Sequence, residues 1–196
     1  MYRSKVRGFF FQALRDILGV YSKKELWEKK FKSGKFDHLK GKRNPTVLKK
    51  VEKFSNGGKI VELGCGEGWL IFNLSDCFYS EYNGFDISDF AIANAISGAK
   101  ERNLNKAHFY SMDISKWSGD FNVNVIIIEE VIYYLTKIDQ VKLINVAFDS
   151  LCDGGILIIT FHSHEKHRGS IENCLSNRND MELISHGDSA ILQLTK

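Results

Sequence analysis

The sequence predicts an α/β protein: a seven-stranded, mostly parallel sheet with helices on both faces, an antiparallel final strand and a helical N-terminal extension. Three observations carry this. From Lys59 onward, short β-branched runs alternate with helical stretches over about a hundred residues, which is the pattern that right-handed crossovers of a parallel sheet require. A glycine-rich turn follows the first of these runs. Two short apolar runs separated by a turn then close the sheet as a hairpin.

Before the alternation, Val6 to about Phe54 reads as helical. Phe10, Leu14, Ile17 and Leu18 share one face, and Leu26, Trp27, Lys30 and Phe31 continue the spacing. A loop rich in Gly and Lys, 33–44, interrupts the pattern, and Pro45 suits the first position of the next helix. Asn56-Gly57-Gly58 ends it. Strands are expected at 59–63, 82–86, 107–111, 123–128 and 155–161, with helices at about 67–78, 89–102 and 138–151. Met181 to Ser185 and Ala190 to Thr195, flanking His186-Gly187-Asp188-Ser189, form the closing hairpin.

With 196 residues, the chain is expected to be one domain with a sizeable core: residues 1–56 as a helical lid and acceptor region, 57–196 as a cofactor-binding core. A net charge of +3 is too small to argue for nucleic acid. The N-terminal lysines are interleaved with Glu25, Glu28 and Glu52, as on a solvated helical face. Cys65, Cys77, Cys152 and Cys174 show no CxxC spacing, which points to reduced thiols and a cytoplasmic setting. No apolar run approaches the roughly 20 residues of a membrane span. Gln12, Arg15 and Asp16 break the apolar stretch that a signal peptide needs.

Residues 60–70 read IVELGCGEGWL. A strand ending at Glu62-Leu63 must turn tightly, and Gly64, Gly66 and Gly68 let backbone approach a ligand where a Cβ would clash. A helix starting near Glu67 would point its free N–H groups into the same space. Open α/β sheets bind ligands at the carboxyl ends of their strands. There the sequence places Asp86 (GFDIS), Asp113 (SMDIS), and Glu129 and Glu130 (IIIEEVIYYL). Helix capping by Ser88, Asp89 or Ser115 accounts for either Asp alone, but not for both acids on one edge.

Together these residues resemble the class I S-adenosylmethionine-dependent methyltransferases, with a Rossmann-like fold, from about Lys59 to Gly155. ELGCGEG looks like the family's first motif, Asp86 like its ribose-binding acid, Asp113-Ile114 like its adenine-contacting pair, and EEVIYYL like its fourth motif. WEKKFKSGKF resembles the lead-in of small bacterial methyltransferases, and EVxYYL is similar to the nodulation-type N-methyltransferases. The resemblance implies S-adenosylmethionine as cofactor, with Glu62, Gly64, Cys65, Gly66, Gly68, Asp86, Ile87, Met112, Asp113, Ile114, Ile128 and Glu129 around it. His162, Glu130 and Tyr133 are the candidate catalytic residues.

The rival enzyme is an NAD-dependent oxidoreductase, whose fingerprint is G-x-G-x-x-G. Here Trp69 stands where the third glycine should be. A non-catalytic cofactor-binding scaffold is the other alternative. His162, His164 and His167 follow the fifth strand, but with Glu165 as the only acid beside them no metal is expected. His162 or His164 is better placed to orient or deprotonate an acceptor. Of Tyr133 and Tyr134, one is expected to face the core and one the acceptor pocket.

Methyl transfer from a sulfonium is an in-line displacement with an activated leaving group, so alignment and exclusion of water dominate. A hydroxyl acceptor benefits from a base such as His162 or Glu130, whereas an amine need only arrive unprotonated. Only about twenty residues separate the fifth strand from the hairpin. The helical N-terminus must therefore wall the acceptor site, which favours a small polar metabolite, including a phosphorylated or nucleotide-linked sugar precursor, over nucleic acid. Lys35, Lys40, Lys42, Arg43 and Arg168 are candidates for holding a phosphate or carboxylate.

Overall fold

Seven strands form one sheet in the computed structural model, which describes residues 22–35, 45–186 and 188–196. In chain order the elements are α1 (Lys23–Lys32), α2 (Pro45–Ser55), β1 (Lys59–Leu63), β2 (Glu81–Asp86), α3 (Asp89–Glu101) and β3 (Ala107–Ser111). There follow β4 (Val123–Glu129), α4 (Lys137–Ser150), β5 (Leu151–Phe161), α5 (Arg168–Asn177), β6 (Glu182–His186) and β7 (Ser189–Thr195). The expectations for Phe10, Leu14, Ile17, Leu18, Lys40, Lys42 and Arg43 lie outside the described residues.

The strand order is β3-β2-β1-β4-β5-β7-β6, parallel from β3 through β5, with β7 antiparallel to both neighbours. Chain order reverses between β1 and β4, which puts the ligand-binding crevice at the ends of these two strands. Side chains alternate across the sheet, so each central strand feeds two cores. On one face Leu63, Ile126, Ile128, Leu157 and Ile159 meet Leu143, Ile144 and Ala147 of α4 and Ile171 of α5. On the other, Ile60, Val125, Ile127, Ile156 and Ile158 meet Val47 and Val51 of α2 and Ile92 and Ala95 of α3. Both faces being apolar explains why these strands read as continuous β-branched runs.

The expected helix at 67–78 does not form. That segment makes turns and two single 3₁₀ turns, Ile71–Asn73 and Asp76–Phe78. Gly66 and Gly68 have φ of +53° and +82°, outside the helical region. The Asn73 side chain donates to the Trp69 carbonyl at 2.7 Å, taking the acceptor that an α-helical N–H would use, and its own N–H turns to the Leu70 carbonyl. β5 starts at Leu151 rather than at residue 155. It pairs with Val123, bulges through Gly154 at φ +77°, and resumes at Ile156.

Candidate functional site

A cavity of about 610 Å³ opens at the carboxyl ends of β1, β2, β4 and β5. Its floor begins at the glycine turn. Gly64 (φ +89°) must lack a side chain, because a Cβ there would lie 2.7 Å from Val131 Cγ1. The Gly64 and Cys65 N–H groups donate to the Phe85 carbonyl at 2.7 and 3.0 Å, tying the turn to β2. Gly66 donates its N–H to Asp86 Oδ2 at 3.0 Å.

Asp86, at 8% exposure, also accepts the Ser88 N–H on Oδ1 at 2.9 Å. Burial pushes its carboxyl up to about 6, opposed by the N–H groups of Ser88, Gly66 and Ile87 and reinforced by the Glu28 charge. Ser88 caps α3, accepting from the Ala91 N–H at 3.2 Å. Asp113 accepts from the N–H and hydroxyl of Ser115 at 3.0 and 2.8 Å, capping the turn Ile114–Lys116. Asp113 thus both caps a turn and lines the cavity, whereas beside Asp86, which also lines it, the cap is Ser88.

At the other end, Glu130 is held at φ +57° with its N–H on Thr160 Oγ1 at 3.1 Å. Its Oε2 gathers three groups: the His162 N–H at 2.8 Å, His162 Nδ1 at 2.9 Å and the Tyr133 hydroxyl at 3.1 Å. Burial, followed by the Glu130 charge, raises the Tyr133 hydroxyl pKa, so it stays protonated and donates. The Tyr133 ring stacks on His167 at 3.7 Å between centroids. Burial, reinforced by the neighbouring His162 and Lys166 and opposed by Glu130, lowers His167 to about 4 and keeps that ring neutral.

The roof is α1. Ser22 and Glu25 form a capping box at its start. Glu28 Oε1 accepts from the Phe90 N–H at 3.1 Å and the Ser88 hydroxyl at 3.3 Å, and Lys24 pairs with Asp89 at 2.7 Å. A carboxylate at the N-terminus of α3 suits the helix dipole. So anchored, α1 brings Trp27 edge-on to Tyr134 at 4.8 Å and sets Phe31 over the glycine turn.

Of the sequence-predicted residues, Gly64, Cys65, Gly66, Asp86, Ile87, Asp113, Ile114, Glu129, Glu130, Tyr133 and His162 line this one cavity. Four do not. Glu62 is fully buried in β1 and accepts the Tyr82 hydroxyl. A Cβ on Gly68 would meet Phe72 at 3.0 Å and Phe109 at 3.2 Å, so that glycine serves packing. Ile128 is wholly in the core, and Met112 packs against that core. Ile128 points from β4 into the core, as alternate side chains of a strand do, and Met112 lies just past the end of β3.

His164 and Arg168 are not among the lining residues, whereas Lys35 is, joined by Lys23 and Lys166. Tyr133 and Tyr134 both line the cavity, from a lone 3₁₀ turn rather than a helix start. Among the described residues no His, Cys, Asp or Glu group forms a metal-binding cluster, and no helix is long and apolar enough to cross a membrane. Glu28 and Thr160 were missed. The Glu25–Ser22 box registers α1 from sequence, but what Glu28 meets depends on tertiary packing.

A family model described as a methyltransferase domain matches residues 54–189. No curated protein matches the sequence. Among solved structures, the chain is similar to the N-methyltransferase NodS from Bradyrhizobium japonicum WM9 in complex with S-adenosyl-L-homocysteine. The two share 16% identity and a TM-score of 0.64 over 81% of this chain and 90% of that one. It is also similar to magnesium protoporphyrin IX methyltransferase (ChlM) from Synechocystis PCC 6803 with bound S-adenosylmethionine, at 19% identity and TM-score 0.65 over 90% and 98%. A candidate rRNA methylase from Clostridium thermocellum aligns at 16% identity and TM-score 0.61 over 78% and 94%. At these identities the likeness is one of fold.

Proposed function

Since the chain belongs to the methyltransferase-domain family and uses S-adenosylmethionine, we propose that it methylates an amine or hydroxyl of a small polar metabolite, a phosphorylated or nucleotide-linked sugar precursor included. One observation carries this reading. A single cavity of about 610 Å³, roofed by α1, joins the glycine turn and Asp86 to the Glu130–His162–Tyr133 cluster. That volume suits a cofactor with a small partner. We read residues 1–56 as lid and acceptor wall and 57–196 as core of one domain.

The residues fit the methyl donor. A Cβ on Gly66 would meet the Phe31 ring, at 3.5 Å, and Gly66 itself lines the cavity. Asp86 is a buried carboxylate beside it, suited to accepting ribose hydroxyl protons. Carboxylates outnumber lysines along the wall, with Glu67, Asp86, Asp113, Glu129 and Glu130 against Lys23, Lys35 and Lys166, which favours a cation.

When bound, S-adenosylmethionine supplies a methyl carbon on an activated leaving group. What the protein adds is alignment, exclusion of water and a place for a proton. With Glu130 ionised, His162 is assigned the tautomer that donates Nδ1–H to it, leaving the Nε2 lone pair to take a proton from an acceptor hydroxyl. The Tyr133 hydroxyl and the His162 N–H hold the carboxylate in place. An amine acceptor would use the same cleft without the base.

Calorimetry with S-adenosylmethionine and S-adenosylhomocysteine, followed by incubation of a metabolite extract with methyl-labelled donor, tests the proposal. Micromolar binding and a labelled small product are expected. Efficient labelling of folded protein or long RNA, with no small product, would overturn it.

A further inference from the structure

Building on the reading that the Glu130–His162 end receives the acceptor, we propose that the acceptor is a small organic anion. Its carboxylate or phosphate is held at the cavity mouth by Lys23, Lys35 and Lys166.

The cavity is electrically two-sided. Its carboxylates belong to the glycine turn and the strand ends, whereas its lysines all belong to the segments above them. Lys23 opens α1, Lys35 follows it, and Lys166 lies between β5 and α5. Of the other cations of α1, Lys24 pairs with Asp89 at 2.7 Å, Lys32 with Glu28 at 3.6 Å, and Lys30 lies over the Trp27 ring at 4.0 Å. Among the described residues, Lys23, Lys35 and Lys166 make no ion pair.

All three ammonium groups are exposed and line the same cavity, whose low-dielectric walls focus their field inward toward an anion. Lysine binds phosphate or carboxylate as a point charge on a flexible stem, which suits a mouth better than a floor. Between the poles stand the rings of Trp27, Tyr133 and Tyr134, flat apolar surface for the body of such a molecule. An acceptor anchored by its anion at the mouth would present its far end to Glu130 and His162. The cationic pole thus selects and orients, while the acidic floor favours the sulfonium.

The test uses the full chain saturated with S-adenosylhomocysteine, titrated with phenyl phosphate, benzoate and uncharged benzyl alcohol and followed by backbone amide shifts. One anion should bind at least tenfold more tightly than benzyl alcohol, and which one does so distinguishes phosphate from carboxylate. K23Q/K35Q/K166Q should lose at least tenfold in that affinity. The control K53Q/K100Q/K142Q, altered at exposed lysines elsewhere, should not. S-adenosylhomocysteine affinity should agree within twofold in all three proteins.

Equal binding of benzyl alcohol, or an equal loss in the control, overturns the inference alone. A fall in S-adenosylhomocysteine affinity confined to the cavity variant also overturns it, by assigning the lysines to the cofactor. Absence of S-adenosylhomocysteine binding to the unaltered protein overturns the proposed function and this inference with it.

Discussion

Asp86→Asn separates a buried charge from the shape around it. The Asp86 carboxyl titrates near 6 because burial outweighs the N–H groups of Gly66 and Ser88. Its ordinary value is 3.8. Between these values the native state binds more protons than the unfolded state, so this group makes stability fall as pH rises, with the full penalty present above pH 6. The shift corresponds to about 3 kcal/mol, of which ~2 kcal/mol develops between about pH 4.5 and pH 7.5. Asn does not titrate. The stability of the variant minus that of the parent should therefore rise by about 2 kcal/mol over that range in urea unfolding, while terms independent of pH cancel.

Binding should run the other way. Ribose hydroxyls need the ionised acceptor, so S-adenosylhomocysteine affinity in the parent should drop up to about tenfold from pH 7 to pH 5, and that of the variant should be weak and flat. Asp86→Ala, which removes both hydrogen bonds, should weaken binding by roughly 1–3 kcal/mol. A parallel stability profile in parent and variant, or a pH-independent affinity in the parent, would refute the burial argument.

The other predictions concern the turn, the base and the roof. Gly66→Val should abolish cofactor binding by calorimetry with the fold retained by circular dichroism. A branched side chain would enter the ligand space and sit at φ +53°, costing roughly 1–2 kcal/mol; normal binding would remove the turn from the site. His162→Ala should lower turnover by about 10²-fold or more for a hydroxyl acceptor and far less for an amine. An unchanged rate with a hydroxyl acceptor would exclude His162 as the base. Deleting residues 1–40 removes α1, which contains no fully buried residue. Some cofactor binding should survive while turnover is lost, and turnover by the truncated chain would show that the acceptor wall lies elsewhere.

Strand positions were legible because both faces of the sheet are covered, so β1, β4 and β5 announce themselves as apolar runs. The segment 67–78 was not legible as turns. Its apolar run Trp69–Phe72 is compatible with a helix, and what decides against one is the positive φ of Gly68 together with the placement of the Asn73 amide on the Trp69 carbonyl. At the site, residues immediately beyond strand ends were readable from topology, which is why Asp86, Asp113, Glu129 and Glu130 came out together. The resemblance marks a stretch, whereas local backbone geometry decides which of its side chains line the cavity: Ile128 turns into the core from β4, and Met112, past the end of β3, packs against it.

Glu130 shows where sequence reasoning stops. A motif can name an acid after β4, but not that its backbone sits at φ +57°, a conformation that costs a non-glycine residue of order 1 kcal/mol or more. Glycine would relieve that cost and leave the Thr160 hydroxyl still able to accept the backbone N–H. It would also leave the His162 N–H, His162 Nδ1 and the Tyr133 hydroxyl without the carboxylate oxygen they share. The Tyr133 hydroxyl and His162 Nδ1 would then be left facing each other, 3.1 Å apart. Strain at this position is thus offset by three hydrogen bonds that exist only because a carboxylate is delivered there. The outlier argues that the cluster is built to hold His162 in one orientation at the cavity wall.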